Sequence, residues 1–89
     1  MPKTIYTNQY RTFCQYLTVR RKALGLTQQE LADRLKKPQS FVAKFELGDR
    51  RLDVIEFLAV ARALEIDPCE VIRQIEPIPS GEQTEEPPT

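Results

Sequence analysis

The sequence predicts an all-α domain of five short helices. Apolar residues recur at spacings of three and four along most of the chain, and no strand-type alternation occurs. Helix-start signals with an acid or hydroxyl three residues ahead of a glutamate stand at Thr27/Glu30 and Asp53/Glu56, and Asp67-Pro68-Cys69-Glu70 forms a third. The links between periodic segments are short and are punctuated by Gly25, Pro38 and Gly48. With 89 residues, the chain has room for one hydrophobic core and little else.

Residues 1–7 are expected as a flexible lead-in. Asn8 can cap a first helix beginning at Gln9. Tyr10, Phe13, Leu17, Arg21 and Leu24 then lie on one helical face, and Gly25 ends the helix. Arg21 is the odd member of that stripe. A charge facing a core is costly unless paired, so Arg21 either meets a carboxylate or lies at the stripe's edge and reaches for water. Thr27 and Glu30 form a capping box for a second helix, whose inward residues are Leu31, Ala32 and Leu35. Pro38 suits the start of a third helix, which closes at Gly48. In it Val42 and Phe45 face inward, leaving Gln39, Ser40, Ala43 and Lys44 outside. Glu46 is the first candidate partner for Arg21.

Asp53 and Glu56 open a fourth helix with Ile55, Leu58, Ala61 and Leu64 as its expected buried face, Val54 and Phe57 alongside. The fifth begins near Pro68 and uses Val71, Ile72 and Ile75 as its apolar side. Ile72 and Ile75 fit equally well in a core or in a seam between two copies. The domain is expected to span 8–76. Residues 77–89 are acidic, proline-rich and almost without apolar groups, a composition that predicts disorder.

Net charge is zero but polarised. Residues 1–52 hold eleven Lys/Arg against four acids, a balance of +7, and residues 53–89 hold two against nine, a balance of −7. An anionic partner for the first half accounts for this, as does a merely polarised solvated surface. No stretch approaches the roughly 18–20 apolar residues of a membrane span. The N-terminus lacks an apolar signal region, so a cytoplasmic protein is expected. Cys14 and Cys69 lack metal-type spacing and read as two small buried hydrophobes; a disulfide or a reactive thiol is the alternative. With no histidine, no glycine-rich phosphate loop and no base near either cysteine, an enzyme, a metal site and a cofactor are not expected.

The stretch from Thr27 to Gly48 carries the functional signal. A small residue, Ala32, lets the two helices approach closely. The second helix keeps polar groups on its outer side near its N-terminus. Gln39 there can bond an adenine edge, Lys44 can reach guanine acceptors or phosphate, and Phe41 and Ala43 can meet thymine methyls. Arg34, Lys36 and Lys37 before it, and Arg50 and Arg51 after it, are placed to meet phosphates. Without the surrounding pattern, Gln39 and Lys44 read as ordinary solvated residues.

The run LTQQELADRL followed by PQSFVAKFELGDR closely resembles the Cro/repressor-type (XRE-like) helix-turn-helix family. Leu26–Gly48 matches the family pattern GLTQ-x-x-LA followed by E-x-G, and the five-helix plan extends the likeness over about 9–75. The resemblance implies a lambda-repressor-like DNA-binding domain with helices 2 and 3 as the motif. It implies base contacts from Gln39, Ser40 and Lys44, a phosphate contact from Gln28, and an ion pair between Arg21 and Glu46. Three positions depart: Pro38 where the family usually has Ser or Thr, Leu47 where it often has Asn, and the bulky Phe41.

The expectation that follows is a sequence-specific transcriptional regulator, a repressor that reads double-stranded DNA as a homodimer. The alternative is an antitoxin-type module whose acidic end binds a basic toxin partner while the same motif autoregulates.

Overall fold

The computed structural model describes residues 2–75, with side chains described from Asn8 onward. Every regular element among them is a helix: α1 (Pro2–Ala23), α2 (Gln28–Leu35), α3 (Gln39–Leu47), α4 (Val54–Ala63) and α5 (Pro68–Ile75). Local chemistry sets most of the boundaries. Thr27 Oγ1 accepts from the Glu30 amide at 3.0 Å while the Glu30 carboxylate accepts from the Thr27 amide at 2.8 Å. Asp53 and Glu56 make the same reciprocal exchange at 2.7 and 3.0 Å. Each box satisfies two amides that a helix start leaves without partners. At the start of α5 the Asp67 carboxylate accepts from the Cys69 amide at 2.9 Å.

The helix ends are closed by left-handed residues. Gly48 (φ 86°) and Gly25 (φ 74°) adopt this conformation without a Cβ penalty. Lys36 adopts it too (φ 59°), at a cost of roughly 1–2 kcal/mol. Its compensation is a turn in which the Lys37 amide donates to the Ala32 carbonyl at 3.0 Å. Pro38 is extended (ψ 155°), precedes α3 as its cap and offers no side-chain hydrogen bond.

One core unites the five helices. Leu17 of α1, Leu31 of α2, Val42 and Phe45 of α3, Val60 of α4 and its C-terminal cap Leu64, and Val71 of α5 have no exposed surface. The α2 helix packs on α3 and α4, while α1 crosses α3 and α5. Two arginines tie in the end of α4. Arg20 donates to the Leu64 carbonyl at 3.1 Å, and Arg34 to the Ala63 carbonyl at 2.8 Å. Positive charge at a helix C-terminus also complements its dipole.

Three expectations are corrected. The α1 helix begins at Pro2 instead of Gln9, since nothing in the first turns breaks a helix and proline suits its first position. Asn8 is therefore inside the helix, its carbonyl accepting from the Thr12 hydroxyl at 3.0 Å. The buried stripe of α4 is Phe57, Val60, Ala61 and Leu64, while Val54, Ile55 and Leu58 are 70%, 73% and 42% exposed. The helix is apolar nearly all round, so two stripes were available. The edge-on stacking of Phe57 against Phe13 at 5.1 Å accompanies the one that is buried. Finally, Cys14 is buried but Cys69 is exposed, and both are free thiols. The tail assigned to 77–89 lies outside the described residues.

Tyr10 joins α1 to the α3–α4 loop. Its hydroxyl donates to the Arg50 carbonyl at 2.9 Å and accepts from the Leu52 amide at 3.3 Å. Burial, and next the adjacent Cys14 thiol, push this phenol up from its ordinary 10.0 to about 12. Folding thus favours the neutral phenol. Its contribution is complete below pH 10 and is lost as the pH rises through about 12. Urea melts are expected to show stability falling more steeply over that window in wild type than in Tyr10→Phe. Parallel slopes for the two proteins would remove Tyr10 from this linkage.

Candidate nucleic-acid interface

The α2–α3 pair is built so that one side of α3 is held inward and the other is left free. A nine-residue helix has about two and a half turns, so its faces are set by few residues. Phe41, Val42 and Phe45 are buried. On the other side Gln39, Ser40 and Lys44 are exposed, Ala43 is half-buried, and Leu47 is 76% exposed. Leu31 and Ala32 of α2 are also fully buried, and the small Ala32 side chain permits the close approach of the two helices.

Both ends of α3 are pinned by one hydrogen-bonded chain. Arg21 Nε donates to Glu46 Oε2 at 2.7 Å and Nη2 donates to Oε1 at 3.0 Å, a two-pronged pair. Its third group, Nη1, donates to the Leu26 carbonyl at 2.7 Å. Only 9% of the Arg21 side chain and 6% of the Glu46 side chain are exposed. Gln28, at the start of α2, donates through Nε2 to Glu46 Oε1 at 2.9 Å. Gln39, at the start of α3, donates through Nε2 to Gln28 Oε1 at 2.6 Å.

The polarity of this chain is dictated by its inner end. An ionised carboxylate only accepts, so Gln28 must turn its NH2 inward and its oxygen outward. Gln39 must then offer NH2 to that oxygen. What remains of the Gln39 amide is its carbonyl oxygen and one N–H, the donor–acceptor pair that an adenine edge complements. Gln28, assigned to phosphate from the sequence, thus stands between Glu46 and Gln39.

The basic flank divides. Lys36, Lys37 and Arg51 are exposed, and Arg51 lies 4.4 Å from the Tyr10 ring. Arg50, also assigned to phosphate, donates to both oxygens of Glu56, at 3.0 and 2.9 Å. That hydrogen bonding, and next the Asp53 amide, hold the Glu56 carboxyl below its ordinary range. Arg50 is therefore part of the fold as well as of the basic rim. Phe41 is a correction: it is 8% exposed, stacks edge-on with Phe45 at 5.5 Å, and is covered by Arg50 at 4.8 Å and Lys37 at 5.5 Å. A ring so enclosed does not reach a thymine methyl. Sequence reasoning missed Leu47, although its spacing of seven from Ser40 and three from Lys44 puts it on their face.

Among the described residues no cluster of acids or cysteines could hold a metal ion. No described helix is long and apolar enough to cross a membrane.

A helix-turn-helix family model matches residues 19–71, more than half of the chain. Among solved structures, an XRE-family-like protein from Pseudomonas syringae pv. tomato is 45% identical. That match covers 84% of this chain and 92% of the other, with a TM-score of 0.80. The chain belongs to the XRE family of helix-turn-helix proteins. The restriction-modification controller protein C.AhdI from Aeromonas hydrophila is 35% identical, with 70% of this chain and 94% of that one covered at a TM-score of 0.66. No curated protein sequence matched. XRE-family helix-turn-helix domains bind double-stranded DNA, and α2 and α3 are the two motif helices of this chain.

Removing Glu46 strands a buried guanidinium and also frees the Gln28–Gln39 chain. Glu46→Ala is expected to lower unfolding free energy by roughly 3–5 kcal/mol, measured by urea denaturation. A midpoint equal to wild type would show that Arg21 finds solvent once its partner is gone.

Proposed function

We propose that this chain is a sequence-specific DNA-binding transcriptional regulator, a repressor that works as a homodimer with α3 in the major groove of each half-site. The observation that carries this reading is the division of α3. Its inner side is locked by Arg21–Glu46, and its outer side presents Gln39, Ser40 and Lys44. Lysines and arginines flank that face, where phosphates border a groove. The likeness to a restriction-modification controller protein supports a role in controlling gene expression.

Dimerisation fits the same reading. A lone domain of this size makes a modest DNA interface, and two copies on half-sites about 34 Å apart multiply it. The exposed apolar residues Ile55 and Leu58 of α4 and Ile72 of α5 offer the seam. Of these, Ile72 lines an open depression of about 500 Å³ together with Phe13, Leu52, Val54, Phe57 and Ile75. Charges of both signs, Arg51 and Asp53, line it, so two copies can face each other without net repulsion. A second reading is the antitoxin-type module, favoured by the −7 balance of residues 53–89. Co-purification of a basic partner at fixed stoichiometry separates it from the first.

Selection of bound sequences from random duplex DNA is expected to return a pseudo-palindrome. Gln39→Ala and Lys44→Ala should then each lose about 1–3 kcal/mol of affinity for that site and far less for unrelated DNA. Equal losses on both DNAs would reduce these residues to backbone contacts. Ile55→Asp is expected to give a folded monomer by sedimentation, and an unchanged mass would place the seam elsewhere.

A further inference from the structure

The most exposed large apolar side chain among the described residues is Leu47, at the last position of α3. It has no part in the core: Glu46 before it holds Arg21, and Gly48 after it turns the chain away. Successive steps of three and four link Ser40, Ala43 or Lys44, and Leu47 along one side of the helix. Along that side Ala43 is half-buried and Leu47 continues it as a fully presented isobutyl group. Leu47 lies eight positions beyond Gln39, a rise of about 12 Å, close to the width of the major groove. The face that enters the groove thus has a polar end at Gln39 and an apolar end at Leu47. Past Leu47 come two exposed arginines, Arg11 and Arg51, bordering a second depression that Asp49 and the Arg21-paired Glu46 also line, which leaves one positive charge in excess. This is the order that a base edge followed by a phosphate strand requires.

We propose that Leu47 is a specificity-determining residue that packs on the C5-methyl of a thymine at the end of the half-site farther from Gln39. Thymine is the base whose major-groove edge carries a methyl group, and an apolar side chain there loses unfavourable water contact only against that group. Leu47 takes the role that the buried Phe41 cannot fill. The proposal rests on the DNA-reading function stated above and adds to it one base and one atom.

The test uses the full chain and the duplex it selects from a random pool. Thymines are replaced one at a time by uracil, which removes the methyl and leaves pairing intact. At one thymine per half-site, wild type is expected to lose about fourfold in affinity, ~0.8 kcal/mol at 1.4 kcal/mol per tenfold. Leu47→Ala should bind the unmodified duplex about fourfold more weakly and be indifferent to uracil at that same thymine. A Leu47→Ala loss that persists with uracil at every position would mean packing on deoxyribose, and it would overturn the proposal. So would Leu47→Ala binding like wild type. If wild type selects no sequence at all, the regulator reading itself fails, and that result is distinct from both.

Discussion

The buried pair of Arg21 and Glu46 is the constraint on which the arrangement of this molecule depends. It joins the end of the long α1 to the end of α3, and through Gln28 it reaches the beginning of both motif helices. Burying two charges is expensive, and a well-packed apolar pair of similar volume is often as stabilising. What an apolar pair lacks is direction. The two-pronged geometry admits one relative placement of α1 and α3, and the third guanidinium bond to Leu26 extends it to the link before α2.

The same pair sets the chemistry offered outside. Because the carboxylate accepts only, the amides of Gln28 and Gln39 have one workable orientation each. A core charge thus dictates, two side chains away, which half of an amide faces the solvent side of α3. The fold and the interface are not separable modules here. The residue that caps the basic loop shows the same overlap: Glu56 closes the start of α4 and simultaneously holds Arg50 against Phe41. A ring, a guanidinium and a carboxylate thereby brace the far side of the motif.

Much of this was legible from single residues. The stripe that contained Arg21 showed that a charge had to be accommodated, and the spacing of Glu46 made it the first carboxylate within reach. Capping boxes at Thr27 and Asp53 are local chemistry between residues three apart, so they are read directly. The α4 helix was legible as a helix but not in its facing, because Val54, Ile55 and Leu58 compete with Phe57 and Val60 for the buried side. Phe41 was misassigned because the enclosing Arg50 and Lys37 come from outside its own helix.

By itself, the sequence determined five helices, the capping boxes at Thr27 and Asp53, the short polar-faced helix after Pro38 and the membership signalled by its motif. These follow from interactions within one or two turns, and such interactions are written in residue order. Tertiary structure alone decided which side of α4 is core, that Gln28 lies between Glu46 and Gln39, that Arg50 is tied to Glu56, and that Leu47 rather than Phe41 stands free. The physical reason is common to all four. A helix presents several faces of comparable chemistry, and only the neighbours packed against it choose which face stays in water.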